Sequence, residues 1–244
     1  MNVISLVDHD TVVAIKVQSQ SEDAARMVLE QMVLTQLIGT RHSPRLYCSG
    51  ATNGYNYIVM QMLGRNLTEL RKMQKDRKFT VHTTVRIGIQ TIDALRTVHE
   101  LGYIHRDIKP SNMCVGLGEH RRIIYVVDFG MARQYRRPNG QWRRERKYVA
   151  FRGTMRYVSL AVHERREQKF SSSMPHHFEM FPILLSDIQY FNVPDYNKLS
   201  ATLKVIQNKV PTVKMKTKAM DKCCKSVDED ADFEWNGESS TQSY

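Results

Sequence analysis

The chain has 244 residues, 41% of them hydrophobic, which suits one sizeable domain or two small lobes and excludes a wholly disordered polypeptide. Its longest apolar runs, such as IIYVVDF at 123–129, are too short to cross a bilayer, and the N-terminus lacks the basic-then-apolar order of a signal peptide; the expectation is a soluble protein without membrane contact, cytoplasmic with the nucleus as a further compartment. A net charge of +11 suits a phosphate- or carboxylate-rich partner without choosing one, and the four cysteines (Cys48, Cys114, Cys223, Cys224) include no CxxC, which gives neither zinc spacing nor a disulfide framework.

In chain order, TVVAIKV at 11–17 is a β-branched run that predicts a strand. SQSE at 19–22 has capping-box form, with Ser19 and Glu22 at the required spacing, and Ala25, Val28, Leu29, Met32 and Val33 follow at helical intervals. RLYCSG and YNYIVMQML, between 45 and 63, flank Asn53-Gly54 and predict a hairpin. From Thr80 to Leu101 the apolar positions Val85, Ile89, Ile92, Leu95 and Val98 keep a helical period, closed by Gly102 as a left-handed cap. NMCVG and IIYVVDF bracket GLGEHRR and predict a second hairpin. Much of the positive charge lies in 133–152, whereas VDEDADFEWNGE at 227–238 is acidic; the bland reading of both is a solvated surface. SSSMP at 171–175 marks a turn or linker, and no internal repeat is present.

Three separated motifs occur in one order: VAIK at 13–16, HRDIKPSN at 105–112 on a loop, and DFG at 128–130 after an apolar strand. A lone DFG is more often a solvated turn; the ordered set resembles a eukaryotic-type serine/threonine protein kinase. The resemblance implies ATP and magnesium as cofactors and proteins as substrates. Asp107 would take or orient the proton of the attacking hydroxyl, Lys109 would neutralise the transferring phosphoryl group, and Asn112 and Asp128 would ligate the metal. Ala14 and Lys16 would meet the nucleotide, with Glu30 as the ion-pair partner of Lys16. Met60 would be the gatekeeper beside adenine, and the backbone of Gln61 and Leu63 would hydrogen-bond the base. Thr154 would bridge Asp107 and Lys109. Among the arginines at 136, 137, 143, 144, 146 and 152, the resemblance favours Arg144 and Arg152, with Lys147, as receivers of an acidic or phosphorylated substrate.

MQMLGRNL at 60–67, HRDIKPSN, DFGMARQY at 128–135, FRGTMRYVS at 151–159 and FPILLSDIQYFNVPDYNKL at 181–199 narrow the resemblance to the casein kinase I superfamily, and within it to the tau-tubulin kinase-like branch of nematode type. The implied fold is α+β and bilobal. A truncated small β lobe and hinge would occupy 1–63, a mainly helical large lobe 64–168, residual C-terminal helices 169–210 and a charged tail 211–244. Two departures bear on activity. No glycine precedes Gly39, so no glycine-rich loop lies before Lys16, and VHERREQ at 162–168 passes through KFSSSMPHH where the family carries roughly fifty further residues of large-lobe core. The alternative to an active kinase is therefore a catalytically impaired, kinase-like binding protein or a fragmentary isoform. A nucleic-acid module rests on net charge alone, without an aromatic-basic motif, and is not expected. The sequence carries no signal for oligomeric state.

Overall fold

The computed structural model describes residues 12–20, 24–74, 76–148, 151, 153–157 and 193–209. Strand β1, Val13–Ser19, pairs antiparallel with β3, Tyr55–Gln61, which pairs in turn with β2, Leu46–Thr52; the sheet order is β1-β3-β2. The β2–β3 connection is the Asn53-Gly54 turn, with φ of 46° and 80°, a hand that matches the twist of the flanking strands. Helix α1, Ala24–Gln36, buries Met27, Glu30, Val33 and Leu34. Ser19 closes β1 opposite Tyr55, and Glu22, the other half of the expected capping box, lies outside the described residues.

Below the sheet, helix α2, Leu67–Met73, starts from a reciprocal cap in which Asn66 Oδ1 accepts from the Glu69 N–H and Glu69 accepts from the Asn66 N–H. Helix α3, Val81–Glu100, begins at Thr80, whose hydroxyl accepts from the Thr83 N–H. It is closed by Gly102 at φ 84°, where a Cβ would stand 2.9 Å from the Arg136 carbonyl, so both conformation and space demand glycine. The short strands β4 (Tyr103–Ile104), β5 (Met113–Val115), β6 (Ile124–Val126) and β7 (Arg133–Gln134) pair as β4 with β7 and β5 with β6. The second hairpin expected from the sequence is the β5–β6 pair. Helix α4, Tyr196–Lys209, docks on α3 through a 2.8 Å bond from Arg96 to Asn197 and contact of His99 Nδ1 with the Tyr196 hydroxyl.

One apolar core joins the two halves: Met27, Leu34, Ile58 and Met60 belong to the same buried cluster as Leu95, Val98, Ile108, Ile124 and Phe129. Each such side chain contributes on the order of 1.5–3 kcal/mol. Packing of α1 on the 129–131 turn therefore fastens the sheet to the helical part and fixes the cleft between them. The architecture is α+β. The expected gap near 169–180, segment 181–192 and the tail 211–244 lie outside the described residues.

Candidate active site

Asp107 sits on the loop between β4 and β5, only 6% exposed. Its Oδ1 accepts the Thr154 hydroxyl at 3.0 Å, and its Oδ2 faces Lys109 Nζ at 2.8 Å and Asn112 Nδ2 at 3.1 Å. Lys109 also donates to Thr154 Oγ1 at 2.8 Å, so the hydroxyl accepts from the lysine and donates to the aspartate. Asn112 makes a second bond, 3.0 Å, to the Asp107 carbonyl. The loop is held from beneath by His105, fully buried, which meets the Val127 carbonyl through Nε2 and accepts the Asp107 N–H at Nδ1; burial lowers its pKa and keeps it neutral.

The second cluster lies where α1, β1 and the segment after β6 converge. Lys16 Nζ is 2.5 Å from Glu30 and 3.2 Å from Asp128. Burial works against the Lys16 charge, but the two carboxylates outweigh it and hold its pKa above the ordinary lysine value. Burial likewise opposes ionisation of Asp128, and Lys16 overcomes it, leaving the carboxyl below its ordinary value. At Glu30 burial prevails and raises the pKa, although Lys16 and the Phe129 N–H both favour the carboxylate. The pair is thus held by geometry at a desolvation cost. Asp128 takes φ 67° and Arg106 φ 70°, left-handed conformations that non-glycine residues adopt only where the surroundings impose them. Arg106 supplies part of that surrounding by donating to the Met131 and Ala132 carbonyls at 2.7 and 3.4 Å.

Oxygen donors dominate what could meet a cation. The Asp128 side chain is 43% exposed, and Asn112, with its Nδ2 engaged by Asp107, presents Oδ1. Among the described residues no group of three or more His, Cys, Asp or Glu could hold a metal ion by itself. Phosphate and water oxygens would have to complete the shell, which fits magnesium rather than zinc.

Toward the hinge, Met60 is 4% exposed and faces Ala14 across the β1–β3 ladder. The Gln61 N–H is engaged by the Arg45 carbonyl at 2.8 Å, so the groups a base could meet are the Gln61 carbonyl and the Leu63 backbone. Gly64 donates to the Val115 carbonyl at 2.8 Å, and a Cβ there would come within 3.0 Å of Val115 Cγ2; the hinge is pressed onto β5. Sequence reading passed over this contact, the helix α2 signalled by Asn66 and Glu69, and a hairpin inside the basic stretch. In that hairpin Arg137 N–H donates to Gln141 O, Arg143 N–H to Tyr135 O, and Tyr135 packs on Trp142, with Pro138-Asn139-Gly140 as the turn signal. Arg136 and Arg143 are engaged locally by Glu100 O and Gln134 Oε1, while Arg144 and Lys147 are exposed and Arg152 lies outside the described residues.

Residues 2–174, well over half of the chain, match the protein kinase domain family. The chain belongs to that family. Its relatives include a Caenorhabditis elegans protein named "Putative casein kinase I", 41% identical over 144 residues that cover 59% of this chain and 42% of the relative. A Dictyostelium discoideum protein named as a serine/threonine-protein kinase of the probable class is 43% identical over 152 residues, 62% of this chain and 31% of the relative. The C. elegans serine/threonine-protein kinase spe-6 is 35% identical over 140 residues, 57% of this chain and 37% of its own length. The chain spans less than half the length of these curated relatives. Among the described residues of this kinase domain no helix is long and apolar enough to cross a membrane.

Proposed function

We propose that the chain is an ATP-dependent serine/threonine protein kinase, and the observation that carries this is the joint geometry of Asp107, Lys109 and Thr154 with Lys16, Glu30 and Asp128. In the reaction a substrate hydroxyl oxygen attacks the γ-phosphorus of ATP, the bond to the β-phosphate oxygen breaks, and ADP leaves. Asp107 orients the hydroxyl and receives its proton. Thr154 and Lys109 fix the carboxylate that does so, and Lys109 faces the negative charge of the moving phosphoryl group. Lys16 holds the non-reacting phosphates, kept cationic and in place by Glu30. Magnesium, when bound, would neutralise charge on the β- and γ-oxygens; Asn112 and Asp128 are the residues that would hold it.

The lineage we favour is the casein kinase I superfamily, tau-tubulin kinase-like branch. MQMLGRNL, DFGMARQY and FRGTMRYVS support it, together with the name of the nematode relative. Exposed Arg144 and Lys147, with Arg152, suit acidic or already phosphorylated substrates. Radiolabelled phosphotransfer from γ-labelled ATP to casein tests the activity. Label on serine and threonine with the wild type and none above background with Asp107→Asn is expected; equal incorporation, or none with either protein, would favour the impaired, kinase-like binding protein.

A further inference from the structure

Strand β6 leads directly to Asp128, and among the described residues only one of its edges is covered by another strand. Cys114 of β5 stands opposite Tyr125, so the N–H and C=O groups of Ile124 and Val126 point to the far side. These residues are nearly inaccessible, 0% and 1% exposed, and buried backbone groups at an uncovered edge need partners. Two residues from different parts of the fold partner both groups of Ile124 and the N–H of Val126. The Gln90 carboxamide, on α3, accepts the Ile124 N–H at Oε1 (2.9 Å) and donates from Nε2 to the Arg122 carbonyl (3.0 Å), occupying the place of a neighbouring peptide unit. His42, in the connection from α1 to β2, meets the Ile124 carbonyl through Nδ1 at 2.8 Å, while its own carbonyl accepts the Val126 N–H at 2.9 Å. Because the Ile124 oxygen can only accept, His42 carries its proton on Nδ1.

We infer that Gln90 and His42 form a clamp on the outer edge of β6 that sets the position of Asp128, making both of them positioning residues for its contacts with Lys16 and with a phosphate-bound cation. The clamped strand runs straight into Val127, whose N–H donates to the Asn112 carbonyl and whose carbonyl accepts from His105; the next residue is Asp128. The clamp also crosses the cleft. His42 follows the helix that carries Glu30, so the element presenting Glu30 to Lys16 is tied to the strand presenting Asp128 to the same lysine. The part about the cation rests on the kinase reading above, whereas the mechanical part does not.

Hydrogen exchange on the unliganded full chain tests the mechanical part. Gln90→Leu should raise exchange at least tenfold at Ile124 and Val126 and also beyond the clamp at Val127 and Phe129, with Ile58, Met60 and the middle of α3 unchanged. A rise confined to Ile124, or one spread evenly over the chain, would overturn the proposal. His42→Asn, which keeps an N–H donor near the Ile124 carbonyl, should restore much of the protection that His42→Leu removes; equal loss in both would count against it. The thermal shift produced by ADP with titrated magnesium then reads the cation part: Gln90→Leu should need about tenfold more magnesium for the half-maximal shift, with the metal-free ADP shift unaltered. An unchanged magnesium requirement would overturn that part. A wild type that ignores magnesium-ADP would instead overturn the kinase reading, leaving the exchange data to judge the clamp.

Discussion

Around Asp107 the partners are mostly neighbours: Lys109 and Asn112 lie on the same loop, and Thr154 joins from 47 residues on. Lys16, by contrast, reaches Glu30 across 14 residues and Asp128 across 112. The first cluster is held by a short loop with several redundant bonds, so it survives wherever the loop folds. The second exists only if α1, β1 and the end of β6 are all in place, and it therefore reports on the whole fold. On the proposed mechanism activity needs both, and the second is the more exposed to loss of scaffold.

Perturbing each cluster should give different signatures. The largest effect on turnover is expected from Asp107→Asn, a loss of about 10²–10⁴-fold in kcat with the melting temperature nearly kept. A collapse of folding instead would show that the loop isn't self-supporting. Lys16→Met should cost on the order of 10² in activity and, unlike the first variant, should also destabilise. Leaving Glu30 buried without its cation costs about 1–3 kcal/mol once the partial exposure of Lys16 is allowed for, measurable by urea unfolding. Thr154→Ala should lower kcat by roughly tenfold with KM for ATP unchanged, and Thr154→Ser, which keeps the hydroxyl, should recover most of it.

A pH series separates scaffold from chemistry. Burial lowers the pKa values of His99 and His105, that of His99 to about 3, whereas in the unfolded chain each takes a proton near 6.5. Below pH 6.5 the unfolded state binds protons that the folded state refuses. Stability present above 6.5 is therefore lost as the pH falls, by up to about 1.4 kcal/mol per unit for each such histidine. His99→Gln should remove one histidine's share of that slope between pH 6.5 and 4, read from urea midpoints; an unchanged slope would contradict the assignment. The smallest effect is expected from Arg144→Glu combined with Lys147→Glu. A few-fold rise in KM for an acidic peptide, with kcat retained, would support these exposed cations as substrate contacts, and an unaltered KM would remove them from that role.

Features written in local sequence could be read from it. Asn53-Gly54 needs only its own two residues to specify the turn, and the period of α3 with Gly102 behind it specifies a helix and its end. HRDIKPSN is local in the same way, and its Asp107, Lys109 and Asn112 meet on one loop. Capping boxes show the limit of local reading: Ser19 and Glu22 have the pattern, but Ser19 also ends β1 opposite Tyr55, far along the chain, a pairing that the local pattern does not announce. Asn66 and Glu69 have it too and cap α2, although Asn66 also bridges to Cys114 of β5. The basic stretch after β7 was read through its charge, which hid the Pro138-Asn139-Gly140 turn and the Tyr135–Trp142 contact. Gln90, His42 and Gly64 could not be read at all. Their roles depend on which backbone groups of β5 and β6 face outward, and that is settled only when the strands pair.

The claim that the two clusters act on one nucleotide is tested most directly by calorimetric titration of the wild type, Lys16→Met and Asp128→Asn with ATP, with and without magnesium. The account predicts magnesium-dependent binding by the wild type, loss of affinity in Lys16→Met under both conditions, and loss of only the magnesium-dependent part in Asp128→Asn. Wild-type affinity in both variants, or no binding by the wild type, would contradict it.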